Sequence, residues 1–366
     1  MNDFVITATR SMRGYATRVV EHLTKVPRFN DMAQTIDGVE LLSADRFADG
    51  EMEVSIKKSV RGKDIVLFAG CCRNDTGIEV EVSKTELYHT VDALKRSQAN
   101  DIIVFEPYIS CSRSDRATRR SSVGLWVHFK ILASLGVSHI ATFQLHSNKS
   151  KAMLDPTICT IDDIPALTLL QRYLCDVYIQ NMETLETEVR SNWAFCSVDA
   201  GGEKLAREFA NAFGAPLVVA HKQRDYSQSN TIESVNILSA EPVSGKVLWI
   251  IDDMIDTGGS VESLIRALAA LEPKEINIIA VHALFSTPAE KRLTRLSEEG
   301  LLNRIIVTDT IGSAVFSEII PRLAVVPSAE LSAKIIRYVM TDQPIGKLMR
   351  PFNAEKYYKT PTLFNS

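Results

Sequence analysis

Short apolar runs recur along this chain. Most end in a polar or glycine-bearing turn, followed by a stretch with apolar residues three and four apart. Residues 4–9 form the first such run, and helical spacing follows over 10–23. Residues 65–68, 101–105, 140–146, 193–198, 216–221, 247–251, 275–282 and 304–310 repeat the pattern, with helices predicted over 83–96, within 167–192 and over 261–268. Runs this short and rich in β-branched residues predict strands buried on both faces. Strand and helix alternating in both halves predict two α/β domains with mainly parallel sheets. One segment breaks the rule. Met52-Glu53-Val54-Ser55-Ile56 alternates apolar and polar residues, and with 39–42 it brackets the turn-rich stretch 46–51, which predicts a hairpin with a polar tip. No low-complexity linker separates the halves, and the domain boundary is expected near residue 160.

Composition narrows the class. The chain has 366 residues, 45% of them hydrophobic, and a formal net charge of −4. That is enough length for two domains of ordinary size, and it offers no general attraction for polyanions, so no nucleic-acid partner is expected and any phosphate affinity must be local. Cys71, Cys72, Cys111, Cys159, Cys175 and Cys196 lack metal-site spacing and are expected as reduced, mostly buried thiols. No apolar run approaches the roughly 18 residues of a membrane span, and the start of the chain has no signal-peptide pattern. A cytoplasmic protein with no membrane partner is expected.

The richest chemistry follows the run Val247-Leu248-Trp249-Ile250-Ile251. Asp252 and Asp253 come next and are expected at a strand's C-terminal edge, then Asp256, Thr257, Gly258, Gly259 and Ser260 lead into a predicted helix. A glycine turn feeding a helix N-terminus presents main-chain N–H groups to a phosphate. The paired acids can accept hydrogen bonds from vicinal sugar hydroxyls, so a phosphorylated sugar satisfies both halves. Acidic, glycine-rich turns are common at strand-to-helix junctions. Two adjacent acids, a third three residues later and the Thr-Gly-Gly-Ser turn form a narrower signal. The stretch resembles the phosphoribosyl pyrophosphate (PRPP) motif shared by type I phosphoribosyltransferases and PRPP synthetases.

Other blocks separate the two branches. The hairpin tip with Phe47, Asp49 and Glu51 resembles the Phe-x-Asp-Gly-Glu segment of PRPP synthetases, which in that family receives the adenine of ATP from a neighbouring subunit. Arg113, Asp115 and Arg116, in a cluster that also holds Arg119 and Arg120, match an Arg-Gln-Asp-Arg-like motif lining the ATP site. A charge cluster is usually a solvated face, but after a parallel strand it can also clamp a triphosphate. Ser114 stands where the family carries glutamine. His146 resembles the histidine of an Asp-Leu-His metal segment, with Gln144 where many members carry aspartate. Asp199 opens an Asp-x-Gly-Gly turn, and Lys222 and Arg224 match the family's Lys-x-Arg pair, whose lysine is catalytic, ahead of the polar run 225–233, expected to be mobile.

The resemblance implies two phosphoribosyltransferase-like (Rossmann-like) domains: 1–160 on the ATP side, 161–336 on the ribose-phosphate side, and 337–366 returning to the first. Residues 177–192 exceed the family pattern and are expected as a surface insertion, and the tail 351–366 has no counterpart. The implied activity is ribose-phosphate pyrophosphokinase, with ATP and ribose 5-phosphate as substrates, PRPP and AMP as products, Mg²⁺ near His146 and Asp199, and a homo-oligomer of dimers assembling to a hexamer. Ser114 would belong to the ATP site, and Arg224 to the ribose-phosphate site as well as to catalysis. A PRPP-consuming phosphoribosyltransferase and a non-catalytic regulatory subunit of the same family are the rival readings.

Overall fold

The computed structural model describes residues 4–26, 39–72, 76–117, 120–199, 201–224, 233–312 and 314–359, with the backbone alone at 222–224, 233, 234 and 314. The chain divides into two units. One comprises Met1–Pro165, Thr310–Gly312 and Pro327–Met349, the other Ala166–Asp309, Ser313–Val326 and Arg350–Ser366.

In the first unit, β1 (Phe4–Ala8), β4 (Asp64–Phe68), β5 (Ile102–Glu106), β6 (His139–Phe143) and β7 (Thr160–Ile164) form one parallel sheet in the order 1-4-5-6-7. β2 (Leu42–Arg46) and β3 (Met52–Ile56) form a separate antiparallel hairpin, as the alternating pattern predicts. Helices α1 (Arg13–Thr24), α2 (Val80–Arg96) and α3 (Gly124–Ser134) follow their strands. Leu87, Val91 and Leu94 of α2 share one face three and four residues apart, and they pack with Leu125, Phe129 and Leu132 of α3 in a core with Ile65, Leu67 and Val104. The strand expected over 140–146 stops at Phe143. Gln144 takes a left-handed backbone (φ 45°), and the Leu145 N–H donates to Asp163 Oδ1 at 2.9 Å instead of extending a ladder.

The second unit carries a larger sheet. β8 (Trp193–Ser197), β9 (Leu217–Arg224), β10 (Glu233–Ser239), β11 (Val247–Ile255), β12 (Glu275–Ala283), β13 (Arg304–Thr308) and β14 (Leu323–Val326) lie in the order 10-9-8-11-12-13-14. All pairs are parallel except β9 with β10. Helices α4 (Leu167–Tyr173), α5 (Glu203–Phe213), α6 (Gly259–Ala269) and α7 (Ala289–Glu298) belong to this unit. β11 runs four residues past the apolar stretch because Asp252, Met254 and Ile255 keep their partners Ala280, His282 and Ala283 on β12. Its acids therefore sit within the strand's last turn of pleat, not beyond its end.

Two segments depart from expectation. Residues 177–192 are no mere surface insertion: α4 continues into a wider helical turn over Leu174–Ile179, Gln180 breaks it with φ 66°, and Asn181 caps the next turn by accepting from the Thr184 N–H at 2.8 Å. Ile179, Leu185 and Val189 are buried, and Tyr178 packs on Trp249 with ring centroids 5.8 Å apart. The return to the first unit also differs from 337–366. It starts earlier, with α8 (Ala329–Met340), whose Ser332 meets the Tyr15 hydroxyl of α1 at 2.7 Å, and it ends at Met349. The short α9 (Ala354–Lys359) stays with the second unit, since Phe352 lies against Phe213, Tyr357 donates to Asp176 and Tyr358 donates to the Cys175 carbonyl.

Phe352 is 7% exposed and also contacts Tyr357. Phe352→Ala is therefore expected to cost about 3 kcal/mol in the unfolding of the second unit, measured by urea denaturation. A loss below about 0.5 kcal/mol would mean the segment is a passive appendage.

Candidate functional site

In the second sheet the strand order reverses at one place. From β8 it runs through β9 and β10 to one edge, and from β11 through β12, β13 and β14 to the other. In open α/β sheets a crevice forms outside the C-terminal ends of the strands where the order turns. Ser197 on β8 pairs with Ile251 on β11, so the turn after β8 and the acids of β11 share one edge. This brings Asp199 into electrostatic reach of Asp252. The Asp252 carboxyl is pushed well above the usual carboxylate range, first by loss of solvent, then by the neighbouring Asp253 carboxylate, with Asp199 adding to it. Asp199 Oδ1 also accepts the Gly202 N–H at 3.0 Å, and a Cβ on Gly201 would stand 3.1 Å from the same oxygen, so the turn closes tightly around the acid.

The glycine turn follows β11 directly. Gly258 has φ 73° and caps α6, a conformation an L side chain rarely adopts. The N–H groups of Gly258, Gly259 and Ser260 donate to no protein acceptor among the described residues and stand at the positive end of α6. Thr257 and Ser260 are exposed. Behind the turn, Arg292 of α7 donates from Nη1 to the Thr257 carbonyl oxygen at 2.9 Å. No motif in the sequence marks that arginine; it is one of several cations on an amphipathic helix. Lys222 and Arg224 lie at the end of β9, paired through the backbone with Val235 and Glu233 of β10. Their side chains, and residues 225–232 of the run expected to be mobile, fall outside the described residues.

In the first unit the hairpin tip is closed by the Phe47 N–H on the Glu51 carbonyl at 2.9 Å and by the Glu51 N–H on Asp49 Oδ1 at 3.1 Å. The same turn leaves Phe47 55% exposed, an unusual position for a large aromatic. After β5, Arg113 and Arg116 are exposed, while Ser114 fastens the loop to α3: its Oγ accepts the Gly124 N–H at 3.0 Å and its carbonyl accepts the Leu125 N–H at 3.2 Å. Asp115 lines a largely apolar cleft of about 520 Å³ with Trp126, Val127 and Met153. Arg119 falls outside the described residues. His146 follows β6 on an exposed turn.

Sequence reasoning missed a buried polar chain beside this loop. His128 Nε2 lies 2.7 Å from Glu106 Oε2, and its Nδ1 lies 2.9 Å from the Tyr88 hydroxyl. Lys84 Nζ donates to Glu81 at 2.8 Å and to the Cys111 sulfur at 3.0 Å. Glu106 ending an otherwise apolar strand is the one trace of this network in the sequence. All six cysteines are free and five are buried; burial pushes the Cys196 thiol up to about 12, as inert core thiols require. Among the described residues no cluster of three or more His, Cys, Asp or Glu side chains is arranged to hold a metal, and no helix is long and apolar enough to cross a membrane.

Comparison with known proteins adds a family. Residues 4–136 match the N-terminal domain of ribose phosphate pyrophosphokinase, and residues 178–300 match the phosphoribosyl transferase domain. The chain is similar to the ribose-phosphate pyrophosphokinase of Prochlorococcus marinus (33% identical, covering 83% of this chain and 84% of that one) and to that of Mycoplasma pneumoniae (31%, 81% and 84%). It is also similar to the crystal structure of phosphoribosylpyrophosphate synthetase from Mycobacterium smegmatis, with a TM-score of 0.76 at 26% identity over 93% of this chain and 99% of that one. With both halves matched in order and a relative one-third identical over most of its length, the chain belongs to the ribose-phosphate pyrophosphokinase family.

Proposed function

We propose that this protein is a ribose-phosphate diphosphokinase (PRPP synthetase), which transfers the diphosphoryl group of ATP to ribose 5-phosphate and releases AMP. The anomeric oxygen bonds to the β-phosphorus as the bond from that phosphorus to the α–β bridging oxygen breaks; the hydroxyl proton leaves and the bridging oxygen departs on AMP. Such a displacement depends on positioning and charge neutralisation more than on covalent help. The observation that carries the reading is the pairing of Asp252 and Asp253 with the turn Thr257–Ser260 at one strand end, which matches a vicinal diol next to a phosphate. A PRPP-consuming transferase would leave the hairpin tip and the arginine loop of the first unit without a use.

In this reading Asp252 and Asp253 accept hydrogen bonds from the ribose hydroxyls, and Asp256, Thr257, Gly258, Gly259 and Ser260 hold the 5-phosphate. Lys222 and Arg224 stabilise charge on the migrating group, with Arg224 also touching the sugar phosphate. Arg113, Asp115 and Arg116 take the nucleotide of ATP, helped by Phe47, Asp49 and Glu51 of a second copy. Ser114 belongs to the same ATP site and also fastens the loop that carries it. The oxygen-rich donors beside β8 and β11 fit Mg²⁺, which commonly takes one or two carboxylates and fills its shell with water and phosphate oxygens. Asp199 would hold it there, and when bound it neutralises phosphate charge. The test of the reaction is AMP formation from ATP, Mg²⁺ and ribose 5-phosphate by the purified chain. Absence of sugar-dependent AMP would overturn it.

Three outcomes follow from the assignments. Lys222→Ala should lower kcat by about 10²-fold with the fold intact, since its charge acts on the transition state; near-normal turnover removes the role. Asp252→Asn should abolish ribose 5-phosphate binding and yet raise Tm at neutral pH by about 2–4 °C. The sign follows from the raised carboxyl pKa: the folded state loses stability as pH climbs past the unfolded value of about 3.9 toward the folded one, so the gain from asparagine vanishes near pH 4 and grows above it. Unchanged or lower stability at neutral pH would show that the acids are not in conflict. Finally, mixing Phe47→Ala chains with Lys222→Ala chains should restore part of the activity through hybrid sites, whereas demonstrated subunit exchange without recovery argues against a shared ATP site.

A further inference from the structure

Arg292 stands directly behind the glycine turn. Its Nη1 donates to the Thr257 carbonyl oxygen at 2.9 Å, and its Nε lies 3.4 Å from Glu262 Oε2 in the first turn of α6. The two contacts use different edges of one planar fork, which a lysine cannot reproduce. A trans peptide is flat, with its C=O and N–H pointing in opposite directions. Holding the Thr257 carbonyl toward α7 therefore turns the Gly258 N–H to the opposite side of the loop, away from that helix. A Cβ added to Gly259 would lie 3.0 Å from Arg292 Nη1, so the guanidinium also fills the space behind the turn.

Two features make such a brace necessary. Adjacent glycines allow many peptide orientations, and the one that aims N–H groups at an anion must be selected by something outside the turn. Glu262 places a carboxylate near the end of α6 where an oxyanion would sit, and Arg266, Arg292 and Arg295 all gather on it, offsetting its charge.

We propose that Arg292 is a positioning residue for the sugar phosphate: it fixes the Thr257–Gly258 peptide so that the turn's N–H groups face the 5-phosphate. The proposal rests on the reading of this turn as the ribose 5-phosphate seat. Full-length wild type, Arg292→Lys and Arg292→Ala are to be compared by calorimetric titration with ribose 5-phosphate and by steady-state kinetics in both substrates. Both variants should bind ribose 5-phosphate about tenfold or more weakly and raise its KM to match, since a charge-assisted bond is lost. The KM for ATP should stay within about twofold, and millimolar guanidinium should restore sugar-phosphate affinity to the alanine variant but not to the lysine variant. Ribose 5-phosphate affinity within about twofold of wild type in both variants, or equal rises in KM for both substrates, would overturn the role. Wild-type protein that fails to bind ribose 5-phosphate would overturn the functional reading and this proposal together, whereas tight wild-type binding untouched by either variant overturns only the role of Arg292.

Discussion

The parallel pairing of β8 with β11 is the constraint on which the second unit depends. It places the turn after Ser197 beside Ile251, and so forces Asp199, Asp252 and Asp253 into one small region at the sheet's edge. Burying a carboxyl beside other carboxylates is costly, and the Asp252 carboxyl, raised first by loss of solvent and then by Asp253, expresses that cost. The cost is also the basis of recognition. A ligand that brings hydroxyl donors for the acids and a phosphate for the adjoining N–H groups offsets that cost, so binding energy and local instability share one origin.

The turn after β11 converts this edge into a directional site. Gly258 permits the left-handed cap, α6 supplies the aligned N–H groups, and Arg292 sets the peptide that joins them. In the first unit, backbone bonds close the hairpin tip around an exposed Phe47, and Ser114 ties the arginine loop to α3. The buried Glu106, His128 and Tyr88 brace the same helices from inside. The hairpin tip, the arginine loop and the glycine turn are thus each held by hydrogen bonds that the fold supplies.

Much of this was legible in the sequence, for physical reasons. Buried parallel strands are uniformly apolar, so β4, β8 and β11 announce themselves, and the alternation of β3 marks the hairpin equally well. Asp252, Asp253 and the glycines were legible because a site that binds a phosphate and a diol needs those residue types in that order. What sequence hid depends on partners distant along the chain. Asp252 to Ile255 remain in the ladder only because β12 offers pairing to Ala283, and residues 174–189 are packed only because Tyr178 finds Trp249. The tail reads as an appendage until Phe352 meets Phe213, and Arg292 reads as a surface cation until it meets Thr257. The bond that fastens Ser114 was hidden for the same reason, since its partner Gly124 lies ten residues on at the start of α3.

The central claim is that one strand end, where the sheet order reverses, holds both the diol and the phosphate of the sugar. A crystal structure of the full-length protein with ribose 5-phosphate bound tests it most directly. Phosphate oxygens are expected about 3 Å from the N–H groups of Gly258, Gly259 and Ser260, with the vicinal hydroxyls donating to Asp252 and Asp253. A sugar phosphate bound elsewhere, or one whose hydroxyls make no contact with these two acids, would contradict it.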